Sequence, residues 1–143
     1  MSDACEMPRG ITTPSEIRQI LDQCRTIAVV GLSDKPDRDS FRVASYLQRA
    51  GYRVIPVNPA LAEVLGEKAY PDLRQIPDKI DLVNVFRRSD AVPTIVEEAI
   101  AVGARVVWLQ EGIVHNEAAD RGRAAGLQVV QSRCIMKDHL ARR

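Results

Sequence analysis

A chain of 143 residues has the length of one domain and can bury roughly two thirds of its unfolded surface around a single core. Charged residues make up 27% and the formal net charge is +1, a balance that excludes bulk attraction to nucleic acid or to an anionic membrane and leaves only local anion sites. Three scattered cysteines, Cys5, Cys24 and Cys134, without a C-x-x-C pair argue against a disulfide framework or a zinc site, and no apolar run approaches the roughly 20 residues that span a bilayer. With no long apolar segment in MSDACEMPRG either, the expectation is a soluble cytoplasmic protein without membrane or nucleic-acid partners.

Residues 1–12 are expected to form a loose extension. TPSEIRQILDQC then opens with a capping box: Thr13 caps, Pro14 suits the first helical position, and Glu16 stands three residues after the cap. Ile17, Ile20, Leu21 and Cys24 share one face of that helix. TIAVVG is the first buried strand, followed by a polar loop and a helix over residues 39–50, with Phe41, Ala44 and Leu47 spaced inward and Gly51 as its stop. YRVIPV is the second strand, ending at Asn58-Pro59. GEKAYPDLRQIPD is rich in turn residues and KIDLVNVF is the third strand. Residues 90–102 form a helix striped by Val92, Ile95, Val96, Ala99 and Ile100, with Pro93 in its first turn. ARVVWLQ is a strand, HNEAADRGRAAG a helix and LQVVQ a last strand, while SRCIMKDHLARR is partly helical and docked at one edge. The alternation predicts one α/β, Rossmann-like, doubly wound domain over residues 1–143, its mainly parallel sheet of about five strands covered by helices on both faces.

In such a sheet a ligand lies beyond the carboxyl ends of the strands, near the point where strand order reverses. Four loops meet that condition: residues 31–40, Asn58-Pro59, residues 86–89 and residues 110–112. The first has one glycine, Gly31, where a dinucleotide fingerprint needs G-x-G-x-x-G. In place of the missing glycines, Ser33, Lys35, Arg38 and Ser40 offer donors, and the loop feeds a helix N-terminus whose open N–H groups favour an anion. Asp34, Asp37 and Asp39 offset Lys35, Arg38 and Arg42, so orientation must do the selecting. The plainer alternative is an ordinary strand-to-helix turn with solvated charges.

The second loop separates cofactors more sharply. An NAD site ends its second strand with Asp or Glu for the ribose hydroxyls, whereas this chain has Asn58-Pro59. A carboxylate there would repel a phosphorylated ribose, while Asn bonds neutrally and Pro gives a rigid apolar surface. Taken alone, Asn-Pro reads first as a strand-ending turn. The third loop sets Phe86, Arg87 and Arg88 directly after a strand: a ring face for a base and two guanidinium forks for oxyanions, or two solvated arginines. Ser89 can cap the following helix.

VVGLSDKPDRDS, YRVIPVNP, VNVFRRSDAVPTIVEEAI, VVWLQEGI and SRCIMKDH, in that order across residues 11–139, resemble the small stand-alone CoA-binding proteins of the succinyl-CoA synthetase α-type nucleotide-binding fold. The larger synthetase subunits are similar over the same stretches, with a threonine-glutamate-glycine turn where this chain has Gln110-Glu111-Gly112. The resemblance implies binding of coenzyme A or an acyl-CoA through its nucleotide portion. On it, Gly31 and Ser33 would approach phosphate, Arg38 would bind a phosphate oxygen, and Asn58 and Pro59 would border the nucleotide. Phe86, Arg87 and Arg88 would border adenine and the phosphorylated ribose, and Gln110 and Glu111 would close the far side. The 3′-phosphate of CoA also accounts for the missing acidic residue after strand two.

The synthetases carry a further ligase domain with a phosphorylated histidine, and this chain is expected to end where that domain would begin. No catalytic or metal-binding residue is assigned. His115 is expected at a helix cap, His139 in the packing of the tail, Trp108 in the core, and Asp81 and Asp120 outside any carboxylate pair. Cys134 reads as a small buried hydrophobe, placed so that it could meet the pantetheine thiol. The expected role is a non-catalytic sensor, carrier or partner subunit, with a protein partner or homo-oligomer admissible. Two alternatives stand beside it: an NAD(P)-binding redox sensor or oxidoreductase on the same fold, with Arg87 or Arg88 on a 2′-phosphate, and a ligand-free module that pairs with a ligase subunit.

Overall fold

The computed structural model describes residues 6–142, so Cys5 and the first part of the expected extension lie outside it. Helix α1 (Pro14–Gln23) begins with the capping box in place: Glu16 N–H donates to Thr13 Oγ1 at 3.2 Å and Thr13 N–H to Glu16 Oε1 at 3.0 Å, which satisfies two backbone donors at the helix start. In chain order there follow β1 (Thr26–Val30), α2 (Asp39–Arg49), β2 (Arg53–Val57), the short strands β3 (Glu63–Val64) and β4 (Glu67–Lys68), and β5 (Leu82–Val85). The remainder is α3 (Val92–Ala101), β6 (Val106–Leu109), α4 (Asn116–Ala124), β7 (Gln128–Val130) and α5 (Ile135–Ala141). None of the described helices is long and apolar enough to cross a membrane.

The main sheet is wholly parallel, in the order β2-β1-β5-β6-β7. Chain direction across the sheet therefore reverses between β1 and β5, the arrangement of the flavodoxin-like doubly wound folds. Side chains alternate across it. Ile27, Val29, Leu82 and Trp108 meet Leu21, Leu47 and Ile135 of α1, α2 and α5 on one face, while Val30, Val83, Val85 and Leu109 meet Val92, Val96 and Ala119 of α3 and α4 on the other. Burial on both faces explains why the strands read as continuous apolar runs. The fold class is the one the sequence predicts.

Three local features differ from the sequence reading. The antiparallel β3–β4 hairpin occupies residues 63–65, for which the sequence predicts no element, and the first residues of the stretch from Gly66 expected as turns. Its Leu65 and Gly66 both have positive φ, 55° and 76°, and its Leu65 carbonyl accepts from Gln48 Nε2 of α2 at 3.1 Å. Ser89 does not cap the helix after β5. It starts a 3-10 turn, Ser89–Ala91, ahead of α3, whose cap position is Ala91 and makes no side-chain bond. Residues 6–10, part of the expected loose extension, are tied to the start of α4: Arg9 N–H donates to Asn116 Oδ1 at 2.8 Å, Asn116 Nδ2 to the Met7 carbonyl at 2.7 Å, and Arg9 pairs with Asp120 at 2.7 Å.

Candidate functional site

A cleft of about 870 Å³ opens at the carboxyl end of the sheet, over the ends of β5 and β6 and between α2 and α5. It is walled by Phe86, Arg87 and Arg88 after β5, by Gln110 and Glu111 after β6, by Asp39 and Arg42 of α2, and by Cys134, Met136 and Lys137 at the start of α5. Five of the residues singled out in the sequence thus share one cavity. The other five, Gly31, Ser33, Arg38, Asn58 and Pro59, stand in the neighbouring loops outside its lining.

Those neighbouring residues shape the loops. Gly31 sits at the reversal of strand order with φ +87°, and a Cβ there would lie 2.6 Å from the Phe86 carbonyl oxygen and 2.9 Å from Arg87 Cδ. Its lack of a side chain lets the β5 loop cross over the β1 loop and lays the Arg87 stem on its backbone. Ser33 Oγ accepts from Lys35 N–H at 3.1 Å, and Ser33 N–H donates to the buried Ser40 Oγ at 3.0 Å. Asn58 Nδ2 donates to the Leu32 carbonyl at 3.1 Å while its Oδ1 accepts from Ala60 N–H at 2.9 Å, so that one side chain joins the loops after β1 and β2. Arg38 is exposed at the start of α2 and forms no side-chain cap, and Pro59 is exposed.

Charge in the cleft is nearly matched. Lys137 Nζ lies 3.2 Å from Glu111 Oε1, and its hydrogen bond to that carboxylate, together with the carboxylate charge, holds the ammonium above its usual range. Arg42 pairs with Asp39 and also donates to the Asp37 carbonyl at 2.8 Å. Arg88 stands 3.6 Å from Asp90, both side chains well exposed. Arg87 is the cleft cation with no ion pair among the described residues. Gln110 is buried, and its Oε1 has no hydrogen-bond partner among them. Arg42 and Lys137 were not singled out as site residues in the sequence: Lys137 reaches Glu111 across 26 positions, a distance that no local pattern spans.

Residues set aside as structural take structural places. His115 Nδ1 accepts from Ala118 N–H at 3.1 Å and caps α4. His139 Nδ1 is 2.6 Å from Tyr46 Oη, and its ring packs edge-on to Tyr46 and Tyr52. Trp108 is fully buried, its Nε1–H donating to the Arg133 carbonyl at 2.9 Å. Asp81 lies at the far, amino end of the sheet and accepts from Arg25 and Thr26 N–H at 2.9 and 3.0 Å. Burial alone would raise its pKa, but these two bonds, together with the positive charges of Arg105 and Lys79, outweigh burial and hold it below the usual carboxylate range.

The same architecture recurs among known proteins. A family model described as a CoA binding domain matches residues 25–140. Over 125 residues the chain is 46% identical to the uncharacterized protein YneT of Bacillus subtilis, covering 87% of this chain and 93% of that one. It is 41% identical over 109 residues to the alpha subunit of ADP-forming acetate–CoA ligase II from Pyrococcus furiosus, covering 75% of this chain but 23% of that subunit. A solved structure of a hypothetical protein from Pyrococcus horikoshii superposes with a TM-score of 0.89 at 44% identity, over 95% of this chain and 97% of that one. By its sequence match and its fold alike, the chain belongs to the CoA binding domain family.

Proposed function

We propose that this protein binds coenzyme A or an acyl-CoA through the nucleotide portion, in the cleft beyond β5 and β6, as a non-catalytic sensor, carrier or partner subunit. The observation that carries the reading is Arg87: a guanidinium without an ion pair among the described residues, its stem laid over Gly31 at the strand-order reversal, beside the half-buried ring of Phe86. That pairing of ring and fork suits a base and a phosphate together. About 870 Å³ is near the upper end of the ~300–1,000 Å³ of small-molecule sites, as a ligand the size of CoA requires. The end of β2 carries Asn58 in place of a carboxylate, which removes the usual partner of NAD ribose hydroxyls and the repulsion that a phosphorylated ribose would meet. Around this cation the remaining charges pair with one another, so the anion is selected by placement more than by net field.

Thermal unfolding with CoA, acetyl-CoA, NAD and NADPH at equal concentrations tests the reading. A ligand at a hundred times its dissociation constant adds about 2.7 kcal/mol, an upward shift of about 5–10 °C for a chain of this size. The expected result is a shift with CoA or acetyl-CoA and none with NAD. A shift with NADPH and none with either CoA species would reject CoA binding in favour of a dinucleotide.

A further inference from the structure

We infer that Gln110 reads the uncharged arm of the ligand: its carboxamide oxygen accepts an N–H from an amide-bearing chain such as the pantetheine arm of CoA, and so separates that ligand from a bare nucleotide. The inference rests on the proposed CoA binding and deepens it. Gln110 is 7% exposed and lines the cleft, and its Oε1 is itself buried with no donor among the described residues, so a turn of the carboxamide is what brings it to a ligand. Buried acceptors in folded proteins are nearly always paired, and one held open costs free energy that an incoming donor returns.

A second open carboxamide stands behind the first. Asn84 is fully buried and its Oδ1 is likewise without a partner, while its Nδ2 makes only a long 3.4 Å contact with the Trp108 carbonyl. The β5–β6 register sets Asn84 beside Trp108 and Val85 beside Leu109, so the next row brings Phe86 beside Gln110. Strand alternation puts these two rows, Asn84 with Trp108 and Phe86 with Gln110, on the sheet face covered by α2 and α5. That face therefore carries two carboxamide oxygens without partners among the described residues, one on each row.

The cleft itself divides by chemistry. After β5 it offers the Phe86 ring and the guanidinium groups of Arg87 and Arg88. Beside Gln110 it offers buried Cys134 and half-buried Met136, on a segment pinned to β6 by the Arg133 N–H to Leu109 carbonyl bond of 3.2 Å, while Glu111 and Lys137 neutralise each other. An anionic nucleotide fits the first part, and an uncharged chain carrying N–H donors fits the second. Adenine also carries N–H donors, and the test separates the two.

Gln110→Met keeps the length and apolar packing of the side chain and removes the acceptor. Calorimetric titration of the wild-type and Q110M proteins compares CoA with 3′-phosphoadenosine 5′-phosphate, which has the nucleotide end without the arm. The expected result is about tenfold weaker CoA binding in Q110M, equivalent to about 1.4 kcal/mol, with the nucleotide unchanged and the wild type preferring CoA over it by about tenfold or more. Equal weakening of both would put Gln110 on adenine, and unchanged CoA affinity would remove it from recognition. Either outcome overturns the inference and leaves CoA binding standing. If the wild type binds neither compound, the CoA reading itself fails. Should Q110M not fold, the wild-type ratio decides, and equal affinity for CoA and the nucleotide overturns the inference.

Discussion

The two ends of the sheet treat their polar groups in opposite ways. At the amino end, Asp81 takes two backbone N–H groups, Arg53 pairs with Asp78, and Arg105 donates to Gln23. At the carboxyl end, Arg87 has no ion pair among the described residues and Gln110 Oε1 no donor. Both ends belong to the same five strands and the same two apolar layers, so the difference is not one of packing. The amino end uses these polar side chains to close the sheet, although Arg142 Nε is buried there without a hydrogen-bond partner among the described residues. The carboxyl end holds part of its hydrogen-bonding capacity open, and in a doubly wound fold that is where a ligand settles.

Gly31 is where breaking the comparison costs most, because it belongs to both roles. Gly31→Val places a Cβ 2.6 Å from a backbone carbonyl at φ +87°, a conformation that β-branched residues strongly resist. Strain of ~1–3 kcal/mol adds to overpacking of similar size, giving a loss of about 4 kcal/mol in denaturant unfolding. An unchanged midpoint would mean that the β5 loop does not cross Gly31 as described.

Asp81→Ala sharpens the contrast from the other end. It removes two bonds to an ionised acceptor, each worth ~1.5–3 kcal/mol when buried, and partial exposure of Asp81 brings the expected loss down to about 2 kcal/mol with CoA affinity unaltered. Because the native carboxyl titrates below its ordinary value, this stabilisation is complete above the unfolded pKa of about 3.9 and disappears as pH falls from there through the native pKa. The stability gap between wild type and variant should therefore narrow in acid. A gap that widened in acid, or a change in CoA affinity at neutral pH, would contradict the division between the ends.

How much of this was legible in the chain follows from the reach of each signal. Helix starts and stops act over three or four residues, and the Thr13–Glu16 box, Pro14 and Gly51 mark them in plain sequence. The β3–β4 hairpin was missed because its turn is Leu65-Gly66, where the expected signal for two positive-φ residues is Asn-Gly or Asp-Gly. The four site loops were identifiable because they follow buried strands, but membership of a loop does not set the direction of a side chain. Phe86, Arg87 and Gln110 line the cleft, whereas Ser33 and Asn58 turn to bond neighbouring backbone. Arg42, Lys137 and the open Oε1 of Gln110 depend on how α2 and α5 lie over β6, which is tertiary information.

The smallest expected effects distinguish two adjacent arginines that the sequence presents as equals. Arg87 stands without an ion pair among the described residues and packs its stem on Gly31, while Arg88 stands 3.6 Å from Asp90 with its side chain 89% exposed. Both side chains are exposed and lose rotamer freedom when they meet a phosphate, but Arg88 must give up its partner as well. Arg87→Ala is therefore expected to weaken CoA about tenfold, the order of one charge-assisted bond, and Arg88→Ala about two- to threefold, each leaving stability within ~0.5 kcal/mol. Dephospho-CoA, measured beside CoA, locates the contact. A loss confined to CoA assigns that arginine to the 3′-phosphate, and equal losses assign it to the pyrophosphate. If Arg88→Ala proves the more damaging, then ion pairing in the ligand-free protein does not rank these residues, and Arg88 must leave Asp90 when the ligand arrives.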